Sequence, residues 1–320
     1  VTPALVTPSA AVLTNETGLP VSTGVSGLGT NVATFLGTPS SANLAAALTD
    51  ETGSGKVVFD TNPVFPADVT IFSITAGRGL AGTISNTVFG YNSLGSVTSA
   101  TSNTVMGADA GVSITSSSDN TLIGHDAGHY VSTGSGNNTF IGNLAGFNVT
   151  TGSHNMAVGS GALQGPVTGT TGIRNLCIGT ACGGAISSGN YNVLIGYGAA
   201  SALTTEENNV VIGYSAARLL VTGYNNVIIG SGAGDLVTSA NNIFIGKGSG
   251  ASITSGGSNV ILGPYSGAAF TASAGQNIVI ADGGGNVRYF CDTNEKTVIN
   301  SLVVTTLGNK NSLQIPGTTA

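Results

Sequence analysis

Residues 208–224, NNVVIGYSAARLLVTGY, are followed at once by NNVIIGSGAGDLVTSA, residues 225–240, and the two say nearly the same thing. The motif Asn-x-apolar-apolar-Gly begins at Asn86, Asn103, Asn120, Asn138, Asn155, Asn175, Asn192, Asn209, Asn226, Asn242, Asn259 and Asn277. Its steps run from 16 to 18 residues, except for one of 20 near Pro166. Counting each Asn as position 0, position 4 is Gly from Gly90 to Gly263 and Ala281 in the last copy. Position 7 is small in the copies from Ser93 to Ser266, and position 11 usually opens a second apolar run, as at Val97, Ile114, Val131, Ile186 and Ile253. A fixed period of this kind is the signature of a repeat architecture.

Seventeen residues with two turns are too few for a pair of helices, and Gly and β-branched residues at these places disfavour helix. The period therefore predicts one coil of a β-solenoid with two short β-segments per coil. Each coil stacks on the last at about 4.8 Å, and twelve coils make a rod on the order of 55 Å long. Gly at the strand exit answers either a positive φ or a backbone contact that a side chain would block. The recurring Asn predicts an amide ladder that satisfies backbone groups of the turns.

Neighbouring strand residues point to opposite sides, and here both sides are apolar. Position 3 runs Phe89, Met106, Ile123, Ile141 and on to Ile280; position 2 runs Val88, Val105, Leu122, Phe140 and on to Val279. One face fills the coil; the other, read here as the position-2 valines, leucines and phenylalanines, forms a stripe along the rod. That stripe exceeds the exposed patch a monomer tolerates, so the pattern predicts sister chains around an axis along the rod, with a trimer as the expected state. Position 1 changes from Thr87, Thr104, Thr121 and Thr139 to Met156, Leu176, Val193 and further apolar residues, which predicts tighter packing in the later coils.

Composition narrows the class. Charged residues are 7% of the chain and the net charge is −6, which argues against a nucleic-acid partner. The hydrophobic fraction of 41% is enough for a core. No apolar run approaches the roughly 20 residues of a membrane helix. Cys177, Cys182 and Cys291 form no disulfide framework and point to synthesis in a reducing compartment. With no initiator Met and no signal-peptide pattern, Val1 reads as an internal or processed start.

Outside the repeats, Pro3, Pro8, Pro20, Pro39, Pro63 and Pro66 exclude long regular elements. SSANLAAALTDE carries the one helical signal, with Ser40 or Ser41 as cap, Leu44 and Leu48 on one face, and Gly53 beyond its end. After the repeats, NVRYFCDTNEKTVINSLVVTT reads as alternating strands around a DTNE turn, a cap on the last coil.

Asp109 and Asp126 share one repeat position, which predicts that they stack on adjacent coils, beside His125 and His129 in GHDAGHY. A metal or acid site built from them competes with the simpler reading that they fill variable turn positions, and the simpler reading is preferred. Cys177 and Cys182 stand at packing positions, and the Gly-rich runs lack the lysine of a phosphate loop. No catalytic, cofactor-binding or metal-binding residue is assigned.

The stretch NNTFIGNLAGFNVTTGSHN, residues 137–155, resembles repeats of bacteriophage tail fibres and of trimeric autotransporter adhesin heads. Residues 1–59 resemble a segment recurring in phage tail-fibre shafts. The resemblance implies a trimeric parallel β-roll and places the chain within a fibre. The combined expectation is an all-β fold: an extended, partly helical shaft over 1–80 with a short helix near 40–50, a twelve-coil trimeric solenoid over 81–281, and a β cap or tail over 282–320. The expected function is structural and non-enzymatic, a homotrimeric tail-fibre protein of the virion that positions or contributes to host-cell attachment. It would be made in the host cytoplasm and act outside the cell. Expected partners are two further copies, other fibre or virion proteins and a cell-surface glycan, with no nucleic acid and no membrane insertion. The alternatives are a bacterial trimeric adhesin, a polysaccharide-degrading tailspike and a self-assembling extracellular filament subunit.

Overall fold

The structure, a computed structural model, describes residues 31–40, 42–43, 69–71, 74–77, 85–269, 273, 275–292 and 297–299. The chain divides into two compact units, Val1–Pro66 and Ala67–Ala320. In the first, a six-residue helix α1 spans Val32–Gly37 and ends where the Thr38 N–H and hydroxyl both donate to the Thr34 carbonyl. The Asn43 N–H donates to Ser40 Oγ at 3.1 Å, the geometry of an N-cap. The rest of the helix expected near 40–50, and most of the shaft, lies outside the described residues.

The second unit is built on one sixteen-stranded sheet whose strands neighbour each other in chain order. It opens with β1 (Val69–Ile71) and β2 (Ile74–Gly77), which are antiparallel. β2 in turn runs antiparallel to β3 (Thr87–Gly90). From there the strands are parallel: β4 (Thr104–Met106), β5 (Thr121–Ile123), β6 (Thr139–Ile141), β7 (Met156–Val158), β8 (Leu176–Ile178) and β9 (Val193–Ile195). The series continues through β10 (Val210–Ile212), β11 (Val227–Ile229), β12 (Ile243–Ile245), β13 (Val260–Leu262) and β14 (Ile278–Ala281). β15 (Val287–Cys291) and β16 (Thr297–Ile299) then turn back antiparallel. Twelve parallel strands, one per repeat, thus bound eleven closed turns of a β-solenoid.

Only one strand forms per turn, not the two expected. The position-11 run keeps turn-to-turn bonds, such as Thr98 N–H to the Thr115 carbonyl and Thr238 N–H to the Thr254 carbonyl, and one isolated bridge, Val149 with Thr170. Its residues instead turn their side chains into the core: Ile114, Val131, Ile186, Leu203, Leu220 and Ile253 are fully buried. The chain at these sites is a closely bonded corner rather than a strand.

Corners are made by left-handed residues. The residue before each Asn has positive φ in eleven turns, from Ser102 (59°) to Gln276 (60°), and includes Asp119, Asn137, Asn208, Asn225 and Asn241. Asn and Asp tolerate this region better than most residues. Position 4 is stricter. Gly213 sits at φ 145°, and a Cβ on it would lie 2.4 Å from the Gly230 carbonyl oxygen of the next turn; Gly90 through Gly246 repeat the pattern. Both sterics and φ exclude a side chain there.

The ladder of asparagines holds the turns in register. In all eleven steps the backbone N–H of one Asn donates to Oδ1 of the Asn before it, at 2.9–3.1 Å. Side-chain amides donate to the same oxygen in ten of those steps. Amide hydrogens also reach a turn carbonyl within the same coil, as from Asn175 to Gly189 at 2.8 Å and from Asn209 to Gly223 at 3.0 Å. Every ladder Asn is buried.

At the far end, Asp282 organises the reversal into β15. Its carboxylate accepts from the Gly284 and Asn286 backbone N–H groups and from Arg288. The Arg288 hydrogen bond first, then those of Asn286, hold its pKa down to about 2. A carboxylate depressed in this way stabilises the folded turn above its unfolded value near pH ~3.9 and loses that contribution as pH falls through about 2. Protection of the β15 amides, measured relative to their intrinsic exchange rates, is therefore expected to fall as pH drops between those values, and Asp282→Asn is expected to abolish that change.

Asn209→Ala would orphan the buried Asn226 N–H and the Gly223 carbonyl. A loss on the order of 1–3 kcal/mol per orphaned group is expected in denaturant unfolding, with exchange protection falling in the turns on both sides. Gly213→Ala should be worse, because no rotation relieves the contact with Gly230.

Candidate interaction surface

The strands show which face is outward. In each of β3 to β14 position 2 is buried while positions 1 and 3 are half-buried or exposed. This corrects the sequence expectation, which set the position-2 valines, leucines and phenylalanines outside. Leu122, Phe140, Leu194, Ile228 and Phe244 are instead wholly enclosed. The reason is the strand period: Asn at position 0 is buried in its ladder, so position 2 shares its side, and positions 1 and 3 face out. Four threonines at position 1 were the available signal, because they mark the solvent side.

The outward columns are nevertheless apolar. Phe89 is 49% exposed, Met106 50%, Met156 42% and Ile280 44%. From Met156 onward both columns are apolar, in register across parallel pairs such as Val193–Val210–Val227 and Ile195–Ile212–Ile229. Neither column carries a charged residue between Thr87 and Ile280. Three residues of strand across eleven steps make a face on the order of 500 Å² by strand geometry, at the upper end of what monomers expose.

Tyrosines border the columns. Tyr197 and Tyr214, two residues beyond the outward isoleucines, are exposed and stacked, with centroids 5.4 Å apart and planes 12° from parallel. Tyr191, two residues before Val193, accepts a hydrogen bond at 2.9 Å from Arg174 Nη1, whose guanidinium lies 5.5 Å from the ring centre. Amphipathic rings of this kind are common where an apolar patch meets water.

The structure brings together some of the titratable residues singled out in the sequence. Asp109, His125 and Asp126 each offer a ligand-type atom within 4.8 Å of the others. Asp126 pairs with His125 at 3.0 Å and with His129 at 2.8 Å, while Asp109 accepts from Asn92 at 2.7 Å. The His125 side chain is 58% exposed, while those of Asp126 and His129 are 17% and 23% exposed, so the cluster is a set of mutually hydrogen-bonded groups at turn positions, half-buried at its centre. Cys177 and Cys182 are fully buried, and Cys182 Sγ donates to the Leu194 carbonyl. The contact with Cys182 and then burial push the Cys177 thiol well above its usual range, away from thiolate reactivity.

One feature had only a weak sequence signal. The 20-residue step carries a β-turn, Pro166–Gly169, which stands beside Tyr130 and Phe147 of earlier turns and lines with them a half-open cavity of about 230 Å³. The broken period near Pro166 announced the insertion, though not the aromatic wall it faces.

Among the described residues, no helix is long and apolar enough to cross a membrane. Comparisons with protein-family models, with curated proteins and with solved structures each find no match for this chain.

Proposed function

We propose that this chain is a structural, non-enzymatic subunit of a homotrimeric fibre, most economically a bacteriophage tail fibre, whose solenoid holds or contributes to a host-attachment element. The observation that carries the reading is the pair of uncharged apolar columns running in register along the solenoid. An identical chain, aligned parallel about an axis along the rod, presents the same columns at the same heights. Two such faces in contact bury about 1,000 Å², the lower bound of a specific interface. A foreign partner would have to match the 17-residue step to do as well.

Other observations support the same reading. The antiparallel strands at both ends favour a rod of finite length over stacking of solenoid ends into an open filament. Asp109 and Asp126 are each engaged by neighbouring side chains, which gives little support to glycoside cleavage by a carboxylate pair. The resemblance of residues 1–59 to tail-fibre shafts favours a virion appendage, acting outside the cell, over a bacterial surface adhesin.

The native particle is expected to have three times the 31.3 kDa mass of the chain by light scattering. Ile195→Asp combined with Ile212→Asp, both on the outward face, should yield a folded monomer with unchanged β circular dichroism. A wild-type chain that runs as a monomer, or as rods of indefinite length, overturns the proposal.

A further inference from the structure

The cavity beside the insertion is built, not incidental. A 17-residue turn closes without residues 166–168, as the other turns show, yet the additional segment is tied down at its base. Asn148, buried, donates from Nδ2 to the Gly165 carbonyl at 3.0 Å, and its backbone carbonyl accepts from Thr170 at 2.7 Å. Thr170 in turn donates its hydroxyl to the Ile186 carbonyl at 2.7 Å. Gly165 and Gly169 have φ of 74° and 97°, and a Cβ on either would strike Thr170 or Thr150. Gly169 N–H closes the β-turn on the Pro166 carbonyl at 2.9 Å, with Val167 and Thr168 at its corners and the fixed φ of Pro166 leading into it. These constraints leave a loop with few alternative shapes. At its tip Val167, one of the residues lining the cavity, is 95% exposed, an apolar side chain held out in solvent.

The opposite wall is aromatic. Tyr130 and Phe147 meet edge to face at 5.2 Å, and His129 packs between them and Asp126, its ring 5.1 Å from Phe147. The remaining lining residues, Asn148, Thr150 and Thr168, are polar but neutral, and none of the residues lining the cavity is charged. They stand on positions 9 to 12 and on the insertion, across the core from the strand face, and remain accessible when that face is covered.

We propose that this cavity is a binding site for a single neutral pyranose ring. At about 230 Å³ it lies below the usual range of drug-sized pockets and suits one six-membered ring. The apolar C–H face of such a ring lies against Tyr130 or Phe147, as aromatic faces favour. Its hydroxyls meet the Asn148 amide oxygen, the Thr168 hydroxyl and the lone pairs of Thr150 Oγ1, whose own proton goes to the Thr170 carbonyl at 3.3 Å. Val167, exposed beside the site, supplies an apolar contact at the edge of the ring. The site deepens the attachment reading, on which its biological meaning rests, but its chemistry belongs to one chain.

The test uses the full chain in its native assembly and a panel of methyl glucoside, methyl galactoside, methyl mannoside, N-acetylglucosamine and, as a charged control, glucuronic acid. Saturation-transfer NMR is expected to show transfer to the ring C–H protons of at least one neutral sugar, with affinity on the order of 1 mM for so small a ligand. Val167→Asp, at a fully solvated tip where folding is not at stake, is expected to weaken that binding at least ten-fold, and Tyr130→Ala likewise. A chain of the expected trimer mass that binds no neutral sugar in tens of millimolar, or binds one equally well with both substitutions, overturns this proposal and leaves the fibre reading intact. Preference for glucuronic acid also overturns it. A monomer that still binds the neutral sugar separates the two readings the other way.

Discussion

A buried amide has two donors and one acceptor to satisfy, and in this fold each ladder asparagine meets that demand with its own counterpart one turn away. Oδ1 takes the backbone N–H of the next asparagine and, in most steps, its side-chain amide, while Nδ2 reaches a carbonyl across the same coil. Both connections are made in the dry interior, where an unmade bond is expensive. The asparagine therefore fixes coil spacing and coil shape together. No other uncharged side chain of that length offers both an acceptor and a pair of donors.

The remaining geometry follows from that fixed point. With position 0 inside, the alternation of a strand puts position 2 in the core and positions 1 and 3 on the surface. With neighbouring turns drawn together at position 0, the position-4 backbones close to a distance at which the carbonyl of one turn leaves no room for a Cβ on the next. Left-handed residues before eleven of the twelve asparagines and at two further corners then bring the chain round in about seventeen residues. Small residues at position 7, such as Ala127, Ala199 and Ala233, fill what space is left against the strand side chains.

Much of this was legible in the sequence because a ladder writes itself as a period. The twelve Asn-x-apolar-apolar-Gly copies gave the solenoid, the parallel register and the glycine constraint. The direction of the strand faces was misread, since apolar residues at positions 2 and 3 look alike until the burial of the asparagine decides between them. The second apolar run reads as a strand because β-branched residues such as Val131 and Ile253 favour one. In the fold those residues are core plugs at a corner, and side-chain burial outweighs strand propensity. The cavity wall was illegible for a different reason. Tyr130, Phe147 and Val167 lie in three different repeats, and only the stacking of turns makes them neighbours.

The change at Met156 divides the outward face into a threonine-bearing part and a fully apolar part. The two parts meet water differently, although their cores and ladders are the same. A surface that varies independently of its scaffold is what a repeat protein permits, since each turn contacts only its neighbours.

Parallel strands in unbroken register also have a consequence for how such molecules diversify. Because every turn enters and leaves at the same point of the cross-section, gain or loss of one whole unit by unequal recombination leaves the ladder continuous and both terminal reversals unaltered. Length is then a countable trait, changed in increments of one coil, and lineages can lengthen or shorten the solenoid without redesigning any contact.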